Sequence, residues 1–120
     1  MSARAVLLAL AVLFVAAPAA RADGDPASDY LLSQPTFLPP DAGIPTAYQN
    51  QLNQIVADAK ANHYEIRVAL IATPYDLGSV SVLNNKPKQY ARFLGQELAF
   101  IYRGRLLVVM PNGLGVSRNG

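Results

Sequence analysis

Along residues 48–59 the apolar side chains Tyr48, Leu52, Ile55, Val56 and Ala59 recur at steps of four, three, one and three, which brings them to one face of an α-helix. Thr46, after Pro45, is placed to cap the start of that helix. Asn62 is placed to end it near Lys60, whose charge suits a carboxyl terminus. The period then changes. "YEIRVALIATP" begins with alternation and becomes a continuous apolar run over residues 68–72, as in a strand covered on both faces, until Pro74 stops it. "YDLGSVSVLNNK" reads as a loop. Beyond it, Tyr90, Phe93, Leu94, Leu98 and Ile101 line one face of a second helix, with Pro87 suited to its first turn and Asn85 to its cap. Gly95 inside this helix costs about 1 kcal/mol relative to alanine and points to close packing or to local tolerance. Residues 106–110 form a second buried-type strand.

The order helix, strand, helix, strand places a crossover helix between two strands, which predicts parallel pairing with a right-handed connection. The expected fold is therefore an α/β sandwich with a small, mostly parallel central sheet flanked by helices. Val68, Leu70, Leu107 and Val109 are its expected core. Two strands and two helices make a poor closed unit, because strands apolar on both faces want further strands beside them. The pattern thus predicts an incomplete domain, with the strand at residues 106–110 exposing a pairing edge.

The first 22 residues change the reading of charge. Arg4 precedes an apolar stretch over residues 5–17, too short to span a membrane, and Ala20-Arg21-Ala22 follows Pro18 as a small-x-small cleavage pattern. This is the layout of an export signal cut between Ala22 and Asp23, which implies a periplasmic, cell-envelope or secreted protein with no membrane-crossing helix in the mature residues. All eight acidic residues lie beyond position 22, whereas two of the ten basic ones lie before it, so the mature chain is formally neutral. The basic isoelectric point belongs to the precursor and argues for no nucleic-acid partner. Without cysteine, thiol chemistry and disulfide scaffolds are excluded. Residues 23–46 carry five of the nine prolines and read as an extended segment draped on the domain, with Tyr30, Leu31, Leu32, Phe37 and Leu38 as its apolar anchors.

Candidate chemistry is sparse. Asp76 follows the first strand at its carboxyl end, where open α/β sheets place ligands, so "PYDLG" can supply a carboxylate to a cation, with Asp29 as companion. The simpler reading is that Asp76 caps a turn before Gly78, so no cofactor is expected; a divalent cation such as calcium is the one such a pair would take. His63 is the sole histidine and sits at a helix end without a nucleophile elbow elsewhere. The "DGDPASD" run departs from a calcium loop at Ala27 and Ser28 and reads as a disordered start of the mature chain. Arg103 and Arg105 flank Gly104 as an anion contact or as a solvated edge. Gly113-Leu114-Gly115 lacks the third glycine and the helix of a dinucleotide loop, and Pro111-Asn112-Gly113 fits a tight turn instead.

The export signal, the entry "SDYLLS", the strand "RVALIA", the helix "YARFLGQELA", the strand "GRLLVVM" and the glycine-bearing turn together resemble the TPM domain over residues 29–116. The resemblance implies an α/β sandwich in an extracytoplasmic protein, truncated at its C-terminus, with residues 47–120 as the N-terminal portion of such a domain. Family members typically follow a glycine-rich strand with a glutamate, whereas Val116 and Ser117 stand at this point. The functional expectation is a non-enzymatic binding or assembly module that engages an envelope or membrane-associated protein. Its rival is the metal-assisted phosphatase activity implied by plant relatives, resting on Asp29 and Asp76, and a third reading is an inactive fragment. The cleavage site predicts that N-terminal sequencing of exported material starts at Asp23; a product that retains residues 5–17 overturns the export reading.

Overall fold

The computed structural model describes residues 25–118, so the expected export signal and its expected cleavage site lie outside the described residues. Within them the chain runs α1 (Pro26–Leu31), β1 (Thr36–Phe37), a 3-10 turn (Pro40–Ala42), α2 (Thr46–Ala61), β2 (Ile66–Leu70), a 3-10 segment (Pro74–Leu83), α3 (Pro87–Leu98), β3 (Arg105–Met110) and β4 (Gly113–Arg118). The strands form one open sheet in the order β1-β2-β3-β4. The pairs β1–β2 and β2–β3 are parallel, and β3–β4 is an antiparallel hairpin. This is the expected α/β architecture with a small, mostly parallel sheet, but it has four strands among the described residues rather than two.

The extra strands come from segments whose sequence signals point elsewhere. The proline-rich entry is not uniformly extended: Pro26 opens α1, a position where its missing amide costs nothing, and Pro35 immediately precedes β1. Asp25 caps α1 by accepting the Ala27 amide at 3.3 Å, so the run from Asp25 onward, expected to be disordered, is a helix start with Asp25, Ala27 and Ser28 buried. At the other end, Pro111-Asn112 makes the expected turn, and Gly113-Leu114-Gly115 is the start of β4. β4 covers the β3 edge that the two-strand reading leaves open. The expected loop over residues 75–86 is largely the 3-10 segment, interrupted at Gly78, where φ is +56°. Neither expected cap forms: Thr46 is the first helical residue of α2, after Pro45, and Asn85 sits at φ +62° one residue before the α3 cap, Lys86.

Register assigns the faces. Val68, Leu107 and Val116 are aligned on one face, and Ala69, Val108 and Gly115 on the other. α3 packs on the second face, where Tyr90, Leu94 and Leu98 meet Leu106, Val108 and Met110 in a core closed by Ala27 and Leu31 from α1. α2 lies on the first face: Asn53 accepts the hydroxyl of Thr36, which is aligned with Val68. Its cover is partial, since Val56 is its one buried side chain while Tyr48 and Ile55 are 64 % and 58 % exposed. That partial cover corrects the expected core. Val68 is buried, but Leu70, Leu107 and Val109 are only half-buried. The fully buried positions of β3 are instead the ones facing α3.

The contact between α3 and β4 is unusually close. A Cβ at Gly115 would lie 2.0 Å from the Pro87 carbonyl oxygen and 2.7 Å from the Lys88 nitrogen, both backbone atoms, so only glycine lets the helix start rest on the strand. At Gly104, before β3, the close neighbour is a side chain instead: a Cβ would lie 2.6 Å from Cζ of Tyr102. The difference between the two sheet faces predicts unequal costs of truncation. Leu106→Ala is expected to lose about 2–5 kcal/mol in chemical denaturation, and Leu107→Ala clearly less; equal losses would contradict this assignment of faces.

Candidate functional site

The carboxyl ends of β2 and β3 open into a shallow apolar cavity of about 250 Å³, lined by Ala42, Ile44, Leu70, Ile71, Ala72, Val109, Met110 and Pro111. This is the place where open α/β sheets bind ligands. Asp76 stands beside it, as its position after β2 predicts, and is 7 % exposed. Its Oδ2 accepts the amides of Ala72 at 2.8 Å and Thr73 at 2.9 Å, tying the first turn of the 3-10 segment back onto the strand end. Asp76 therefore serves the backbone as an anchor for this turn. Burial raises its pKa; the two amide bonds oppose that shift and the nearby Asp41 carboxylate adds to it.

Asp41 is the carboxylate that approaches Asp76, and it accepts the Thr73 hydroxyl at 2.6 Å. The sequence gives no direct sign of this neighbour, because Asp41 comes from the 3-10 turn before α2, brought beside β2 only by the β1–α2–β2 connection. Asp29 stands exposed in the first turn of α1, where its charge acts on Asp25. His63 is exposed at the end of α2 with φ +64°. Arg105 starts a central strand rather than an edge and lies 3.8 Å over the Tyr64 ring, while Arg103 donates to the Ala99 carbonyl at 3.2 Å. Among the described residues, no three His, Cys, Asp or Glu side chains are grouped to hold a metal ion, and no helix is long and apolar enough to cross a membrane.

A second polar pair lies under α1. Tyr90, fully buried, donates its hydroxyl to Asp25, whose exposure is 2 %. Desolvation lifts the Asp25 carboxyl from 3.8 to about 6 against the opposing bonds from Tyr90 and the Ala27 amide, with Glu97 and Asp29 adding repulsion. The Tyr90 phenol is raised as well, chiefly by burial and then by the Asp25 charge. This contact spans 65 residues and docks the N-terminal helix on α3. It answers no helical or strand period, so sequence pattern does not reveal it.

No family model matches the chain, and neither a curated protein nor a solved structure is similar to it.

The Asp25 pair makes stability depend on pH. Between pH 3.8 and about 6 the folded chain keeps a proton that the unfolded chain has released, so stability falls as pH rises through this window and levels off above it. The expected loss is on the order of 1–3 kcal/mol. Denaturant melts across the window should show the decline in the parent chain and a flatter profile in Asp25→Asn; an unchanged slope in the variant would remove Asp25 as its source.

Proposed function

We propose that the chain is an exported cell-envelope module of the TPM type that works by binding a protein partner rather than by catalysis. The observation that supports this most directly is the apolar sheet face beyond the cover of α2. Leu107 and Val109 are half-buried there, and Leu114 and Val116 on β4 are 59 % and 74 % exposed. A row of branched apolar side chains on a sheet face costs solvation unless something covers it in use. The two buried carboxylates are meanwhile engaged within the fold, Asp76 by two amides and Asp25 by Tyr90.

The competing reading, a metal-assisted phosphatase, draws on the approach of Asp41 and Asp76 at the strand ends. The two readings part experimentally. The purified chain is assayed for hydrolysis of a generic phosphomonoester with calcium, magnesium or manganese, beside Asp76→Asn. In parallel, a photo-crosslinking residue is placed at position 114 or 116, and as a control at position 63, in the exporting cell. Discrete adducts from 114 and 116 and no metal-dependent turnover are expected. Turnover abolished by Asp76→Asn with the fold retained would establish the enzyme and displace the binding module.

A further inference from the structure

β4 is the last strand of the open sheet, so its outer side presents backbone amides and carbonyls with no strand beside them among the described residues. A groove of about 560 Å³ follows that edge, lined by Lys88 and Arg92 of α3 and by Leu114 to Arg118 of β4. Its charge is of one sign: Lys88, Arg92 and Arg118 line it, and no acidic side chain does. All three cations are exposed.

The two sides of the groove differ. Gly113, Gly115 and Ser117 are aligned with Met110, Val108 and Leu106, on the face that carries α3; Ser117 donates its hydroxyl to the Ala91 carbonyl at 2.9 Å. The absence of a side chain at Gly115 lets α3 lie directly on the strand and brings Lys88 and Arg92 to its rim. Leu114 and Val116 are aligned with Val109 and Leu107 on the opposite face and continue its apolar row, which Arg118 closes.

We propose that this edge is a strand-addition site for an extended segment of a partner protein in which acidic and apolar residues alternate. This deepens the binding-module reading above and rests on it. Successive side chains of an added strand point to opposite faces. One set therefore meets Lys88 and Arg92, and the other extends the row of Leu114 and Val116. The main chain supplies the hydrogen bonds and the alternation supplies the selectivity. Charge also argues against a second copy as the occupant, because edge-to-edge pairing of two β4 strands would bring two sets of the same cations together.

The test uses the purified chain and a peptide of about ten residues alternating aspartate with valine, followed by backbone amide shifts and an affinity titration. Shifts should centre on Leu114–Arg118, and binding should weaken with salt. Joint charge reversal, Lys88→Glu with Arg92→Glu, should reduce affinity about tenfold; both residues are exposed, so the fold should survive. A peptide N-methylated at alternate backbone positions should fail to bind. Equal binding by a lysine–valine peptide, indifference to N-methylation, shifts centred on α2, or a dimer of the chain formed through β4 would each overturn the proposal. If the aspartate–valine peptide does not bind while adducts still form at positions 114 and 116, strand addition falls and the binding module stands. If the adducts are absent too, both fall.

Discussion

The seating of α3 on the β3–β4 hairpin is the contact on which the remaining structure depends. Tyr90, Leu94 and Leu98 from one side and Leu106, Val108 and Met110 from the other are buried together in the core of the described chain. Close packing of this kind leaves no room for an added methyl group at the point of nearest approach, and Gly115 is that point. Because the helix is fixed there, Tyr90 is fixed as well, and its hydroxyl holds Asp25 and the cap of α1. The same seating sets Lys88 and Arg92 along the outer strand. One packing contact thus organises the core, the N-terminal helix and the charged rim.

The two faces of the sheet have different fates for the same reason. α3 and α1 close one face with branched and aromatic side chains, so that face holds the stability of the fold. α2 leans on the other face mainly through Val56 and leaves Leu107, Val109, Leu114 and Val116 less covered. Among the described residues this face stays partly open, and the proposed binding role rests on that openness. The carboxyl-end crevice is different in kind. Its apolar floor and its pair of approaching carboxylates occupy the position of a ligand site, but Asp76 is engaged with the backbone amides of Ala72 and Thr73.

The fold is most legible in the sequence where one period dominates. α2 and α3, the parallel pair β2–β3 and the turn before Gly113 follow from local spacing and turn chemistry. Local pattern misleads where proline and glycine suggest irregular structure. Pro26 begins a helix, and Gly113 and Gly115 belong to a strand, because a first-turn proline loses no bond and a strand beneath a helix needs a glycine where the two backbones meet. The candidate site is legible in part: Asp76 follows a strand end, as its place in the sequence predicts, while its neighbour Asp41 stands 35 positions earlier and no local pattern links the two.

What the sequence by itself determined is the class of the fold, since periods of 3.6 and 2 are set by backbone geometry and survive whatever the elements pack against. It determined too that no thiol chemistry is available and that acidic and basic residues balance beyond position 22. Which apolar stripes are buried was decided only by tertiary structure. Leu106 and Leu107 are equally hydrophobic, yet the placement of α3 buries the first and leaves the second half open. Tertiary structure alone also decided that Asp25 meets Tyr90 and that Lys88, Arg92 and Arg118 line one edge, because contacts across such distances in sequence depend on how the layers stack, and no local pattern encodes that.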